Sequence, residues 1–479
     1  MIRKPSPEQA LAFTLGLFLL TVFVRGGNSR QIVIFTTVVA LICLALSALV
    51  AWKSSRGGPL FRLGGSLYVA AMSCIAISAV LALIPLPPDF WLSLPGRAAY
   101  AGVITVLQQP PPDVASLPLS IDPLGTSFAS LSLVIAFAVC LAAMLLRSSL
   151  LLKLLGVFAV VAIVQAAIGL LQLVFGTPSF MGYSMSAVAR GATGTFINKN
   201  HFATLLAMAL PLLVFRSTGQ FTFFRQHEAP TPLSNVWWGA ATAVVAAALV
   251  ASLSRAGSAA GFSVAVLAIL LCVFRKQATT KQRLGLLIGG GVAFALVSGT
   301  TLKLMMDSLQ GTAFSESAEG RLQLLRFSVM GLKAFFPLGA GLGSYSIAAQ
   351  RFQPETVAGY VEHVHNDYVE LIFETGILGI AALICFAAAA VATGLRLWRT
   401  MSSDRQPLSP AIACWLGAAA FGIHAWFDFP AHIPGLVIVV SLLFGASMNE
   451  SLFKSHERTR RLPPRLHDVT ISGTTQAGT

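Results

Sequence analysis

Residues 151–175 read LLKLLGVFAVVAIVQAAIGLLQLVF. Lys153 is the single charged residue in this run, and no proline interrupts it. A helix of about 20 apolar residues crosses the hydrocarbon layer of a bilayer, so this stretch is long enough to span one. Outward from it the same kind of run recurs at 10–24, 31–52, 66–86, 126–146, 201–215, 236–253, 256–274, 284–302, 369–394, 409–427 and 432–449. Only 10% of the 479 residues are Asp, Glu, Lys or Arg, against about 25% in a soluble domain. Mean hydropathy is +0.77, and the 41 glycines suit helices packed through small residues in lipid. A water-soluble globule is excluded, because it could not hide this much apolar surface. The expected fold is all-α, a polytopic membrane helix bundle of about 12 transmembrane helices over residues 1–451. A basic, polar and disordered tail is expected at 452–479.

Net charge is +14. In a soluble chain that would suggest nucleic acid, but here the cations sit in short loops between apolar runs, so no nucleic-acid partner is expected. With the N-terminus placed in the cytoplasm, roughly two-thirds of the 32 Lys and Arg fall on the inner side. That side receives Lys53, Arg56 and Arg62, the 275–283 cluster, and the tail from Lys454 to Arg465. Both termini are therefore expected in the cytoplasm. The first apolar run has no small-residue cleavage site and reads as an uncleaved helix. Cys43, Cys74, Cys140, Cys272, Cys385 and Cys414 all lie in apolar runs, which offers neither a disulfide framework nor zinc-finger spacing. Two outer segments are long, about 87–125 and, between spans nine and ten, 303–368.

Cations on the outer side oppose the general charge bias and are candidates for binding. Arg190 and Lys199 bracket RGATGTFINKNH, residues 190–201. This is either a polar turn with Asn200 capping the sixth span or a binding loop. Arg255 stands in SLSRAG, residues 252–257, nearly the only polar break in a long apolar region. It is either a snorkelling anchor or a ligand-binding cation. In the long outer loop, Leu325, Val329, Leu332 and Phe336 recur at helical spacing. They predict an amphipathic helix lying on the membrane, with Arg321, Arg326 and Lys333 on its polar side. FPLGAGLGSY, residues 336–345, follows no strand, so its glycines read as a helix stop and tight turn and not as a dinucleotide loop.

The densest polar cluster is VEHVHNDYVELIFETG, residues 361–376. Asp367 and Glu370 have the spacing of a capping-box-like helix start, and Asp367, Glu370 and Glu374 share one helix face. An intramembrane acid such as Glu374 is a functional candidate by default; pairing of Glu370 or Glu374 with an outer Arg is the structural alternative. His365, at the water boundary beside these acids, is a candidate general base. His424, Asp428 and His432 form a second polar island before the last span.

These pieces resemble the O-antigen ligase and O-antigen polymerase superfamily of bacterial envelope proteins. RGATGTFINKNHF, SRAG, GRLQ with PLGAGLGSY, HNDYVELIFETG and HAWFDFPAHIP occur in that family's order, over Arg190 to Pro434. The resemblance implies a lipid-donor glycosyltransferase fold of the GT-C-like type. It implies transfer of a glycan from undecaprenyl pyrophosphate to a hydroxyl on lipid A–core, a growing polysaccharide or a similar acceptor, outside the bacterial cytoplasmic membrane. It makes Arg255 and Arg321 the cations on the pyrophosphate, with Arg326 one helical turn from Arg321, and His365 the base. Arg190, Lys199, Asn200, Arg326, Asp367, Glu370, Glu374 and Asp428 complete the expected substrate-binding set.

The chemistry is coherent without the family. A leaving pyrophosphate carries anionic oxygens whose developing charge must be met. No Asp-x-Asp pair occurs, and arginine forks can bind phosphate oxygens bidentately, so neither a metal nor another cofactor is expected. A secondary transporter of a small anion or glycolipid is the alternative; it calls for interrupted helices in two related halves. An inert scaffold is disfavoured by the charged residues at the outer mouth.

Overall fold

The computed structural model describes residues 5–27, 30–54, 62–103, 116–175, 179–180, 183–184, 191–224, 230–274, 313–357, 359–401 and 407–452. The ninth expected span (284–302), Arg190 and the tail from 453 lie outside the described residues. The main helices are α1 (Pro7–Leu20), α2 (Arg30–Ser54), α3 (Leu63–Ala82), α4 (Pro123–Leu145), α5 (Ser148–Phe175) and α6 (Lys199–Ser217). They continue as α7 (Pro232–Ala251), α8 (Arg255–Val273), α9 (Ala313–Phe335), α10 (Asp367–Thr400), α11 (Pro410–His424) and α12 (Pro434–Met448). Eleven of these fall on expected spans, and α9 belongs to the long outer loop. Eight are long and apolar enough to cross a membrane, while α1, α11 and α12 are shorter apolar helices. The remaining regular structure among the described residues is short. It includes two antiparallel strand pairs, Pro85–Leu86 with Leu117–Pro118 and Ser179–Phe180 with Tyr183–Ser184.

Helix starts follow local chemistry. Ser6 and Gln9 form a reciprocal capping box ahead of α1, with Pro7 in the first helical position. Thr231, Ser254 and Ser409 cap α7, α8 and α11 through their hydroxyls. At α6 the cap is Asn198, which accepts the Asn200 N–H, so Asn200 sits inside the first turn and is not the cap.

Helix α6 lies at the centre of the bundle. His201 through Arg216 are all buried, packed by α5, α7, α8, α11 and α12. Close approach depends on small residues: a Cβ on Gly257 would overlap Ala203, and one on Gly261 would press on Ala207. Two small pairs spaced by four residues thus let α8 and α6 pack backbone to backbone. Arg216, at the far end, is held by Asn235, Ser234 and the face of Trp238, so its charge is not left bare.

The long helix α10 is broken. Gly376 adopts φ 58° and ψ −132°. The Ile377 N–H donates to Pro337 O at 2.9 Å, while the Phe373 and Glu374 carbonyls accept from Ala340 and Gly341 at 3.1 and 2.8 Å. Segment 337–341 therefore takes over the hydrogen bonds that the break removes, as apolar surroundings require. A side chain at Gly376 would collide with the Pro337 carbonyl, and one at Gly341 with Ser120. The glycines of PLGAGLG serve this close approach.

Helix α9 departs from the sequence expectation. Leu325, Val329 and Leu332 are only half-buried and Phe336 is exposed; the buried stripe is Phe327, Ser328, Gly331 and Phe335. The helix has turned its small face onto α10, where Gly331 admits the Phe373 ring and Ser328 Oγ meets Tyr345 Oη at 2.6 Å. It packs on protein, with Leu322 and Met330 left exposed. Small residues that permit closer contact outweigh the larger side chains that set the apparent apolar face.

Candidate active site

Four polar segments converge at one end of the bundle: the start of α6, the α7–α8 turn, the start of α10, and the 424–433 turn between α11 and α12. Their convergence is shown by contacts. Thr204 Oγ1 lies 2.6 Å from His424 Nδ1. The Asp367 N–H donates to Ala425 O at 3.0 Å. Phe429 is ringed by His201, His363 and His365 at centroid distances of 4.8, 4.2 and 4.9 Å.

His365 holds the left-handed backbone conformation, φ 57°, and Leu253 beside Arg255 does the same, φ 56°. Such conformations cost non-glycine residues energy and persist where the surroundings impose them. His365 Nδ1 is 3.2 Å from Asp428 Oδ1. A carboxylate oxygen can only accept, so Nδ1 carries the proton and, in the neutral ring, the lone pair lies on Nε2. That nitrogen has no protein partner among the described residues, and the side chain is 31% exposed. Asp428 is fully buried and also accepts the Phe429 N–H at 2.9 Å. Burial alone would raise its carboxyl. The hydrogen bond from His365 and the imidazoles of His201 and His424 outweigh it and hold the group well below the usual carboxylate range.

Three expected cations come together. Lys199 lies in the electrostatic reach of Arg255 and Arg321, and Arg255 in that of Arg321. Arg321 also acts on His424. Lys199 and Arg321 are half-buried and Arg255 exposed. Arg326 is exposed one turn further along α9 and is not among the charges acting on Lys199 or Arg255.

The three acids are buried and engaged by protein donors. Asp367 Oδ2 accepts the Ala431 N–H at 2.9 Å, and its Oδ1 is 3.1 Å from His432 Nδ1. Glu370 Oε2 accepts the Val364 N–H at 3.1 Å, with His363 Nδ1 at 2.7 Å from Oε1. Glu374 Oε1 accepts the Tyr345 N–H at 3.0 Å. Their partners are histidines and backbone, where the sequence had suggested outer arginines. The helix cap is Asn366, which accepts from Tyr368 and Val369, in place of an Asp367–Glu370 capping box.

Sequence reasoning passed over His201 and His363, which carry no local signal apart from polarity. It also passed over Arg97. Arg97 is fully buried, donating to Pro95, Leu119 and Gly339 carbonyls between the Trp91 and Phe335 rings. Burial pushes its guanidinium down to about 10. It borders a cavity of about 190 Å³ lined also by Leu81, Leu338, Thr375 and Ile377.

Residues 240–384, under a third of the chain, match the family model described as O-antigen ligase. That segment is similar to the O-antigen ligase family. It contains Arg255, Arg321, Arg326, His365, Asp367, Glu370 and Glu374, whereas Lys199, Asn200 and Asp428 lie outside it. No curated protein matches the chain. The match and the eight long apolar helices point to a multi-pass membrane protein.

Proposed function

We propose that this protein moves a glycan from undecaprenyl pyrophosphate to an acceptor hydroxyl at the outer face of the cytoplasmic membrane. The acceptor is lipid A–core, a growing polysaccharide or a similar hydroxyl compound. One juxtaposition carries the reading: Asp428, the partner of His365, and the cation Arg321 both act on His424, and Arg321 lies in the electrostatic reach of Lys199 and Arg255. The acceptor oxygen attacks the anomeric carbon, and the bond from that carbon to the pyrophosphate oxygen breaks with its electron pair. The hydroxyl proton passes to His365 Nε2. Arg255 and Arg321 meet the departing charge through planar forks, with Lys199 as a third cation, so the transfer step itself needs no metal.

Asn200 offers a neutral amide beside Lys199, Arg190 is a further candidate cation by sequence, and Arg326 would guide the donor from the exposed side of α9. Asp428 orients the base. Asp367, Glu370 and Glu374 act on substrate through the loops they hold. The break in α10 is the observation that favours a transporter. Its freed carbonyls, however, are taken by Ala340 and Gly341 and do not line a path.

The test is transfer of lipid-linked glycan by the purified protein. His365→Ala should insert normally and lose about 10²–10⁴-fold in rate. Arg255→Lys and Arg321→Lys should be strongly impaired, because an ammonium keeps the charge and loses the fork. Arg326→Lys should be milder. Full activity of His365→Ala overturns the mechanism.

A further inference from the structure

The loop 361–366 and the turn 425–433 are fastened to α10 by a cluster that the transfer chemistry does not use. His363 Nδ1 lies 2.7 Å and His432 Nε2 3.2 Å from one oxygen, Oε1 of Glu370. The three atoms all fall within 4.8 Å of one another. With Asp367 and Glu370 both ionised, hydrogen bonding alone satisfies this arrangement only if His432 carries both ring protons, because its Nδ1 also faces Asp367 Oδ1 at 3.1 Å. Even then, two carboxylates that are 1% and 8% exposed share a single histidinium. A buried charge left short of a partner is costly.

We propose that His363 Nδ1, Glu370 Oε1 and His432 Nε2 hold one divalent transition-metal ion, zinc being the best match. Two imidazoles and one carboxylate form a familiar zinc donor set, whereas magnesium and calcium prefer all-oxygen shells. The ion replaces the His432 Nε2 proton and supplies the second positive charge. The surrounding hydrogen bonds are those a metal site requires. Asp367 receives the Nδ1–H of His432, and its other oxygen is fixed by the Ala431 N–H. The second oxygen of Glu370 is fixed by the Val364 N–H. A carboxylate on the far nitrogen of a ligating histidine sets its tautomer and orientation. Phe429 stacks on His363 at 4.2 Å with an interplanar angle of 21°, walling one side. The His363 and His432 side chains remain 22% and 29% exposed, which gives the ion an entry path and a water as fourth ligand. The ion ties three elements together next to His365 and Asp428. Its role is to hold the loop and the turn, and it takes no part in glycan transfer.

The full-length protein, purified in detergent and stripped with a chelator, is titrated with zinc alone. Metal content is read by elemental analysis and the ligand shell by X-ray absorption. One zinc per chain is expected, in a nitrogen and oxygen shell without sulfur, and with a thermal midpoint that rises on zinc addition. His363→Ala, at a partly exposed ring, should fold, bind no stoichiometric zinc and show no such rise. His432→Gln should behave likewise, and if it fails to fold, His363→Ala decides alone. Substoichiometric zinc in the wild type overturns the site, as does a sulfur-dominated shell or unchanged binding by His363→Ala.

Discussion

Asp428 illustrates how single residues in this site act through one another. It is buried, bonded to His365 and surrounded by imidazoles that depress its carboxyl against the pull of burial. A depressed carboxylate stabilises the fold above the ordinary carboxylate value of about 3.9, and that stabilisation is lost as pH falls through and below it. Asp428→Asn should therefore lower the thermal midpoint at pH 7. The gap to wild type should narrow steadily when unfolding is repeated toward pH 3. Because the carboxylate also sets the His365 tautomer, the same variant should distort the pH–rate profile of transfer. An unaltered profile with only a lowered midpoint would make Asp428 merely structural. Arg255 was legible in the sequence as a candidate because it is polar among apolar neighbours, and His365 and Arg321 because they stand in polar stretches of the long outer segment. The partners that give them meaning were not. His201 and His363 meet Phe429 and Glu370 only through the fold, and no spacing along the chain encodes that meeting. The proposed metal donors at 363, 370 and 432 are likewise brought together only by the fold.

At the scale of elements, hydropathy located the helices well and their interruptions poorly. The apolar run 369–394 contains nothing that separates an unbroken helix from α10 as it stands. The break arises from pairing with residues 337–341, a tertiary contact that periodicity does not see. The facing of α9 was misjudged for a related reason, because close packing at Ser328 and Gly331 decides it. Gly376→Ala tests the first point. The conformation at φ 58° and ψ −132° lies outside the regions open to a residue with a Cβ, and the added methyl meets the Pro337 carbonyl. A cost of about 1–3 kcal/mol from the backbone alone is expected, and more from the clash. Thermal unfolding in detergent should show the drop. A Gly376→Ala protein as stable as wild type would mean that α10 runs straight through.

The whole molecule couples a lipid-embedded bundle to a polar mouth at one end, and which side of the membrane that mouth faces follows from charge. Around the mouth stand Lys199 and Arg255, isolated cations beside apolar spans, and Arg321 on α9, whereas the dense cationic clusters at 53–62 and 275–283 lie elsewhere in the sequence. Dense Lys and Arg in short loops are retained in the cytoplasm during insertion. A few outer cations are tolerated, and here three lie within one another's electrostatic reach, at the start of α6, at the start of α8 and on α9. The mouth should thus open away from the cytoplasm, where a lipid-linked glycan would be displayed. Fusions to a reporter active only outside the cytoplasm check this directly. A fusion after Gly343, in the segment paired with α10, should be active, and one after Arg283, at the end of the 275–283 cluster, should be silent. The reverse pattern would place His365 and its cations in the cytoplasm and remove the proposed donor from their reach.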